Sequence, residues 1–183
     1  MTQPRRPERI LFIGQVHACA SPLLLRTLLG SCVAVCLFDP VARVGGMNHF
    51  ALPNGPDRRT HTDRARFGLP AMIELLGALM AAGAVRHRLL ATIIGGGHLL
   101  STPDFANDLP RRNIDFARRF LARERIAIVA EDVGGHYPRQ VRFHTDTGVV
   151  VVTRGRTSAG SRGGLRRVLV AALAAPDTAG DRH

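Results

Sequence analysis

The chain has 183 residues, of which 45% are hydrophobic, and this fits one folded domain with a sizeable core, with or without a tail. Its net charge is +11 with arginine as the only basic residue besides histidine, which favours acidic partners but does not by itself indicate nucleic-acid binding. Three irregularly spaced cysteines, no signal-peptide pattern and no run of roughly 18 apolar residues exclude a disulfide framework and membrane insertion, so we expect a reduced cytoplasmic protein.

Short apolar runs predict four strands in the first third of the chain. They are Arg9–Gly14, Leu23–Leu25, Cys32–Phe38 and Arg43–Leu52. A turn at Asp39-Pro40 joins the last two strands, so we predict that they form a hairpin. The pair Gly45-Gly46 inside the second arm predicts a bulge or a close approach of another backbone.

Two helices and a buried strand are predicted in the middle of the chain. The segment Asn54–Gly68 is polar and aperiodic, which is typical of a surface loop. Apolar residues then recur with helical spacing from Pro70 to the stop at Gly83. The run "LLATIIGGG" predicts a strand that ends tightly at its glycines, and "PRRNIDFARRFLARE" predicts a second helix with Ile114, Ala117 and Leu121 on its buried face.

Three β-branched runs, "RIAIVAEDVGG", "RQVRFHTDTG" and "VVVVTR", predict consecutive strands before the chain changes character after Arg154. Because helices and strands do not alternate regularly, we predict an α+β sandwich with helices on one face rather than a doubly wound sheet. We expect one domain over residues 1–154. Residues 155–183 would form a basic Gly/Ser/Arg-rich tail, in which "LRRVLVAALAA" predicts a short amphipathic helix.

Cys32 and His49 are the candidate catalytic pair, since each lies on one arm of the predicted hairpin. An imidazole can take the proton of a thiol, and the sulfur then attacks a carbonyl carbon. A free cysteine has a pKa near ~8.5, so a stable thiolate at neutral pH would need a nearby imidazolium. Gly30 and Ser31 leave room for a substrate carbonyl, and backbone N–H groups there could form an oxyanion hole.

Other interpretations of the same residues are structural. Cys32 taken alone also fits a small buried apolar residue, and His49 a core histidine. A metal site of Cys32, Cys36 and His49 is disfavoured, because cysteines four residues apart on a strand lie about 13 Å from each other. The glycines of "IIGGG" lack the lysine and Ser/Thr of a phosphate loop. The arginine clusters lack the interleaved aromatic residues of a nucleic-acid platform, so we predict a solvated basic face.

Several motifs occur together in a telling order: "LLGSCVAVCLFDP", "GGMNHFALP", "IIGGG", "RRN" and "EDVGG" followed by "YPRQVRFHTDTG". With the cysteine and histidine 17 residues apart, this combination resembles the bacterial chemoreceptor glutamine deamidase family, CheD, from about Arg9 to Arg154. The resemblance implies two packed mixed β-sheets with helices on one face, similar to the fold of deamidating bacterial toxins. The tail lies outside it.

The resemblance also implies an activity and its residues. Members convert selected glutamines of methyl-accepting chemoreceptors to glutamate and release ammonia, with no metal or cofactor. Cys32 would be the nucleophile and His49 its base. Thr27 would orient the histidine, although some members carry that threonine one position earlier, where this chain has Arg26. Gly30, Ser31 and Asn48 are our candidates for oxyanion and substrate contacts.

The implied partners are the cytoplasmic domains of chemoreceptors and, in some bacteria, a CheC-type phosphatase; nucleic acid is not expected. The predicted loop Asn54–Gly68 could border the site. A thioester formed on the cysteine would link attack on the amide to hydrolysis by water. Two other classes stay open: a non-catalytic adaptor with an idle Cys-His pair, and binding of nucleic acid by the basic surface.

Overall fold

The computed structural model describes residues 6–53, 66–99 and 108–155, together with the backbone of 167–170. The secondary structure comprises ten strands, two α-helices and a short 3-10 turn at Arg86–Arg88 in these ranges. The elements are β1 (Glu8–Ile10), β2 (Gln15–Cys19), β3 (Leu24–Leu29), β4 (Val33–Asp39), β5 (Val44–His49), α1 (Gly68–Ala81), β6 (Leu90–Gly95), α2 (Leu109–Arg123), β7 (Ala127–Val133), β8 (Arg139–His144), β9 (Val150–Arg154) and β10 (Arg167–Val170).

The strands form two five-stranded sheets. The outer sheet has the order β1-β3-β8-β9-β10, and the central sheet has the order β2-β5-β4-β6-β7. Each sheet contains one parallel pair, β1 with β3 and β6 with β7, and is otherwise antiparallel. Both sheets are therefore mixed, and the predicted α+β sandwich is confirmed.

Two apolar layers hold the sandwich together, one on each face of the central sheet. Strand β4 shows why: Val33, Val35 and Leu37 pack toward the two helices, whereas Ala34, Cys36 and Phe38 pack toward the outer sheet. Side chains alternate across a strand, so an almost unbroken apolar run is what a strand buried on both faces requires. Both helices cover the same face of the central sheet, which leaves the outer sheet to close the other side.

The hairpin of β4 and β5 forms as predicted, with Cys36 opposite Met47 and Asp39 opposite Val44. The Asp39 carboxylate accepts hydrogen bonds from the N–H groups of Val41 and Ala42 in the connecting turn. At Gly45 the predicted close approach is confirmed. A Cβ at this position would lie 2.5 Å from the carbonyl oxygen of Thr145, so the absence of a side chain lets the two sheets meet there.

The first two predicted strands differ from the structure, and one strand was not predicted. The sequence predicts a strand at Arg9–Gly14, but β1 ends at Ile10 and a separate strand, β2, follows. β2 is a half-exposed edge strand with polar residues, so it lacks the apolar run that marks a strand in sequence. β3 is six residues long, where the sequence predicted only Leu23–Leu25.

The tail contains a strand where a helix was predicted. Arg167–Val170 pairs antiparallel with β9, so the free edge of that strand supplies partners for backbone groups that a helix would have satisfied internally. The rest of the predicted tail helix and the predicted linker lie outside the described residues. The domain boundary at residue 154 stays a prediction.

Gly45→Ala is expected to lower the free energy of unfolding by about 1–3 kcal/mol, because the new methyl group would press on the backbone of Thr145. Gly77→Ala is the matched control, since no atom lies within 4 Å of a Cβ built at that exposed helical position. It should raise the free energy of unfolding by up to about 1 kcal/mol. Urea denaturation of both variants checks the pair, and an unchanged midpoint for Gly45→Ala would contradict the close packing.

Candidate active site

The loop that carries Cys32 connects the outer sheet to the central sheet. It runs from the end of β3 through Gly30 and Ser31 to the start of β4. All three carbonyl groups of the loop accept hydrogen bonds: Gly30 from the Gly97 N–H and Cys32 from the Gly96 N–H, both at 2.8 Å. The Ser31 carbonyl accepts a longer bond, of 3.3 Å, from the side chain of Asn113.

The backbone N–H groups of this loop are directed differently. Within the described ranges, the N–H groups of Ser31 and Cys32 donate to no other backbone carbonyl. The Ser31 side chain and the Cys32 N–H both oppose the rise that burial causes in the pKa of the Cys32 thiol. The loop therefore offers donors on the side of the half-buried thiol, where they could stabilise negative charge that develops during an attack by sulfur.

His49, the last residue of β5, lies on the same face of the central sheet as Cys32. Val33 and Phe50 exchange two backbone hydrogen bonds of 3.0 Å, so the antiparallel register places Ala34 opposite His49. Cys32 is two residues from Ala34 and is thus a diagonal neighbour of His49. Diagonal neighbours have Cβ atoms within about 7–8 Å, so the hairpin brings a thiol and an imidazole into the same small region.

Thr27 is the residue that contacts the imidazole directly. Its Oγ1 lies 2.8 Å from His49 Nδ1 and 2.8 Å from the carbonyl oxygen of Leu11. A carbonyl can only accept, so the hydroxyl proton goes to Leu11 and the hydroxyl oxygen accepts from Nδ1–H. This assigns the remaining lone pair of the ring to Nε2, a buried atom with no hydrogen-bond partner in the described part of the chain.

The neighbouring Arg26 has another role. It points away from Thr27 along β3 and forms a 2.7 Å ion pair with Glu8 on the exposed face of the outer sheet. Thr27, by contrast, is only 3% exposed. Alternation along the strand thus directs position 27, and not position 26, toward the histidine.

Burial keeps both candidate catalytic groups neutral at rest. It lowers the pKa of His49 from 6.5 to about 4, an effect that the carbonyl of Leu11 only partly opposes. Burial raises the pKa of the Cys32 thiol, although Ser31, the positive charge of Arg66 and the Cys32 N–H all act in the opposite direction. Both shifts favour a neutral thiol and a neutral imidazole over a preformed thiolate-imidazolium pair. The imidazole is a free base that can accept the thiol proton during the reaction.

The other predicted contact residues, Gly30, Ser31 and Asn48, do not all lie beside Cys32. Gly30 and Ser31 lie in the cysteine loop, as their sequence position requires. Asn48 faces the helices instead: its Oδ1 accepts a 2.9 Å bond from the Val35 N–H, and its Nδ2 contacts the sulfur of Met72. The structure does not bring the Asn48 side chain to Cys32. The predicted loop Asn54–Gly68 lies outside the described residues except for its last three positions.

Sequence reasoning missed the support that the glycines after β6 give to the site. Gly95 and Gly96 adopt positive φ angles of 115° and 65°, and a Cβ on Gly95 would lie 2.2 Å from the carbonyl oxygen of Cys32. These residues therefore let the backbone approach the cysteine loop closely, so that the N–H groups of Gly96 and Gly97 bind its carbonyls. The signal was present in "IIGGG", which we interpreted only as a tight strand end.

A buried ion pair stabilises the turn on the far side of these glycines. The Arg139 guanidinium, fully buried, donates to Asp132 at 3.1 Å and to the carbonyl of Gly134 at 2.6 Å. The N–H of Gly134 in turn donates to the Gly95 carbonyl at 2.9 Å. Charged partners that satisfy each other make such a network rigid, so the glycines are held from both sides.

Neither a metal site nor a membrane helix emerges from the described ranges. Residues 6–53, 66–99 and 108–155 contain no group of three or more His, Cys, Asp or Glu side chains that could hold a metal ion. In the same ranges neither α1 nor α2 is long and apolar enough to cross a membrane.

Comparison with known proteins gives a consistent set of relatives. Residues 51–154 match the sequence model of a family described as CheD chemotactic sensory transduction. The chain is 44% identical over 147 residues to a probable chemoreceptor glutamine deamidase CheD 1 of Anaeromyxobacter dehalogenans, covering 80% of this chain and 84% of that protein. A probable chemoreceptor glutamine deamidase CheD 2 of Chromobacterium violaceum is 46% identical over 145 residues, covering 79% and 72%. The match to the family model begins at residue 51, after Cys32 and His49. The assignment of these two residues to the site therefore rests on the β4–β5 register and on the contact between Thr27 and His49.

The buried histidine should make stability depend on pH. Between about pH 6.5 and pH 4 the unfolded chain binds a proton at residue 49 that the folded protein does not bind, so stability falls as the pH falls through this window. A shift of this size corresponds to about 3 kcal/mol. Urea unfolding at several pH values should show a smaller loss for His49→Gln than for the parent protein. Equal losses would contradict a neutral, buried imidazole.

Proposed function

The chain belongs to the CheD family, and from that membership and the site geometry we propose that it is a chemoreceptor glutamine deamidase with Cys32 as its nucleophile. The observation that carries the proposal is the 2.8 Å contact between Thr27 and His49 Nδ1. It leaves Nε2 as an unprotonated base on the face of the sheet that also carries Cys32. The relatives from Anaeromyxobacter and Chromobacterium are named for this activity.

The first half of the proposed reaction forms a thioester. His49 Nε2 takes the thiol proton as the Cys32 sulfur attacks the carboxamide carbon of a glutamine side chain. The tetrahedral intermediate collapses when the imidazolium gives that proton to the amide nitrogen, and ammonia leaves. The Thr27 hydroxyl keeps the ring oriented and stabilises the imidazolium, because it accepts the Nδ1–H hydrogen bond in both states.

The second half hydrolyses the thioester. His49, neutral again, takes a proton from water while the water oxygen attacks the thioester carbon. The carbon-sulfur bond breaks, the proton returns to sulfur, and the product is a glutamate side chain. Neither half involves oxidation or reduction. The proton given to ammonia comes from the thiol, and the proton returned to sulfur comes from water, each carried by His49.

The cysteine loop supplies the proposed oxyanion stabilisation. The N–H groups of Ser31 and Cys32 are the proposed donors, and the carbonyls of the loop are already bound by Gly96, Gly97 and Asn113. Because the carbonyls of Gly30 and Ser31 are hydrogen-bonded, the planes of the peptides that carry the Ser31 and Cys32 N–H groups are fixed. These N–H groups therefore need little reorganisation when charge develops on the substrate oxygen. Gly30 lies directly before these donors, against the side chain of Leu99.

The proposed substrates are the cytoplasmic domains of methyl-accepting chemoreceptors, in which the new glutamates could then be methylated. A net charge of +11 would assist encounter with acidic protein surfaces. The CheC-type phosphatase partner and the cytoplasmic location stay predictions, as does similarity to deamidating toxins.

Cys32→Ala should abolish conversion of receptor glutamine to glutamate, because the half-buried thiol that forms the thioester is lost and Cys36, on the same face of β4, is buried between the sheets. Cys19→Ala is the matched control: this half-buried cysteine lies on the edge strand β2, away from the loop, and its loss should leave the rate unchanged. The measurement is peptide mass spectrometry of a receptor cytoplasmic fragment. Full conversion by Cys32→Ala would show that Cys32 is not the nucleophile.

Receptor binding by the parent protein without conversion of glutamine would favour the alternative function, a non-catalytic adaptor.

Thr27→Val should lower the turnover number about 100-fold, because the ring loses the acceptor that orients its Nδ1–H and stabilises the imidazolium. Thr27→Ser keeps the hydroxyl and should restore most of the rate. Both variants are assayed on the same receptor fragment after their folded fractions are equalised by circular dichroism. An equal loss in the two variants would point to packing of the threonine methyl group instead.

A further inference from the structure

Asn113 occupies an unusual position for an asparagine. It lies in the interior of α2, on the face that also carries Ile114 and Ala117, and it is fully buried. Asparagine is disfavoured inside helices because its side chain competes for backbone hydrogen bonds, and a buried helix face is normally apolar. A specific interaction must therefore hold it there.

Its side-chain amide connects the two segments that carry the catalytic pair. Nδ2 donates one hydrogen to the Ala51 carbonyl at 2.9 Å and the other to the Ser31 carbonyl at 3.3 Å. Ser31 directly precedes Cys32, and Ala51 follows His49 by two residues. Both partners are carbonyls, so the orientation of the amide is fixed, since an oxygen in place of Nδ2 would face two other oxygens.

The other end of the same side chain is not satisfied. Asn113 Oδ1 is buried and has no hydrogen-bond partner among the residues that the structure describes. A buried acceptor without a donor lowers the free energy of unfolding. An apolar residue at position 113 would avoid this loss of stability. The unsatisfied atom indicates that the two bonds from Nδ2 are retained for another purpose.

The helix that carries Asn113 is itself fixed against the cysteine loop. A Cβ on Gly96 would lie within 3.0 Å of Ile114 and of the carbonyl oxygen of Pro110, so α2 packs tightly on the backbone of this glycine. The Gly96 N–H binds the Cys32 carbonyl. The backbone that carries Asn113 is therefore held in place by packing, and this limits movement of its side-chain amide.

We infer that Asn113 is a positioning residue that fixes the cysteine loop relative to the strand end carrying His49, and so aligns the thiol with the imidazole. The inference rests on the proposed thiol chemistry. By holding the Ser31 carbonyl, Asn113 sets the plane of the peptide whose N–H belongs to Cys32. By holding the Ala51 carbonyl at the same time, it couples that plane to β5. Misplacement of reacting groups by about 1 Å can cost on the order of 100-fold in rate.

The test compares Asn113→Ala with Leu121→Ala. Leu121 is fully buried on the same face of α2, eight residues further along, and contacts neither carbonyl, so its truncation controls for loss of packing. For each folded variant we would measure the turnover number and KM on a receptor fragment. The rate at which iodoacetamide modifies Cys32, resolved from Cys19 by peptide mass spectrometry, is measured as a function of pH.

Asn113→Ala should lower the turnover number about 10- to 100-fold with KM nearly unchanged, and should alter the pH profile of Cys32 alkylation. Leu121→Ala should reduce thermal stability at least as much, yet keep the parent turnover number and profile. Asn113→Leu keeps most of the side-chain volume but removes both donors, and it should resemble Asn113→Ala in rate and alkylation profile. If Asn113→Ala fails to fold, Asn113→Leu decides the question.

Parent-like turnover and alkylation in the folded Asn113 variants would overturn the inference, as would equal losses in Leu121→Ala. The alkylation profile does not depend on the receptor. A parent protein without deamidase activity would therefore count against the proposed function, while a changed profile in the Asn113 variants would still support the positioning role.

Discussion

The hydrogen bond between Thr27 and His49 joins the two sheets at the point where the chemistry is proposed to occur. Thr27 belongs to the outer sheet and His49 to the central sheet, and both are almost completely buried. A single hydroxyl proton has two possible acceptors there, and the Leu11 carbonyl takes it. The direction of one hydrogen bond thus sets the tautomer of the imidazole and makes Nε2 the base. A change in the spacing of the two sheets would disturb this 2.8 Å contact.

That spacing is controlled by places where side chains are missing. Gly45 allows the central sheet to approach the backbone of Thr145, which follows β8 of the outer sheet. On the central sheet itself, Gly95 allows β6 to approach the Cys32 carbonyl. The Gly95 carbonyl accepts a hydrogen bond from the N–H of Gly134. The Gly134 carbonyl is in turn bound by Arg139, which forms a buried ion pair with Asp132. Close backbone contacts are stiffer than contacts between long side chains. The cysteine loop is consequently held by peptide groups on one side and by the Asn113 amide on another.

Burial gives the site its electrostatic character. It favours the uncharged thiol and lowers the pKa of the imidazole to about 4, so both members of the pair are favoured in their neutral forms. Charge separation is then confined to the moment of attack, when donors around the sulfur and the substrate oxygen can stabilise it. The unpaired Nε2 and the unpaired Asn113 Oδ1 are both costs to stability. Such costs are typical of groups retained for catalysis or for the alignment of catalytic groups.

The sequence by itself determined the fold class, the β4–β5 hairpin, both helices and the candidates Cys32, His49 and Thr27, because strand and helix periodicities and the spacing of the motifs are local properties. Only the tertiary structure decided what depends on long-range pairing. It revealed β2 and β10, whose partners are distant or lie at sheet edges, and it placed Asn48 on the helical face. It also chose Thr27 over Arg26 and showed that Asn113 reaches both Ser31 and Ala51. These outcomes rest on the faces and neighbours of side chains, which are fixed when separate segments pack together.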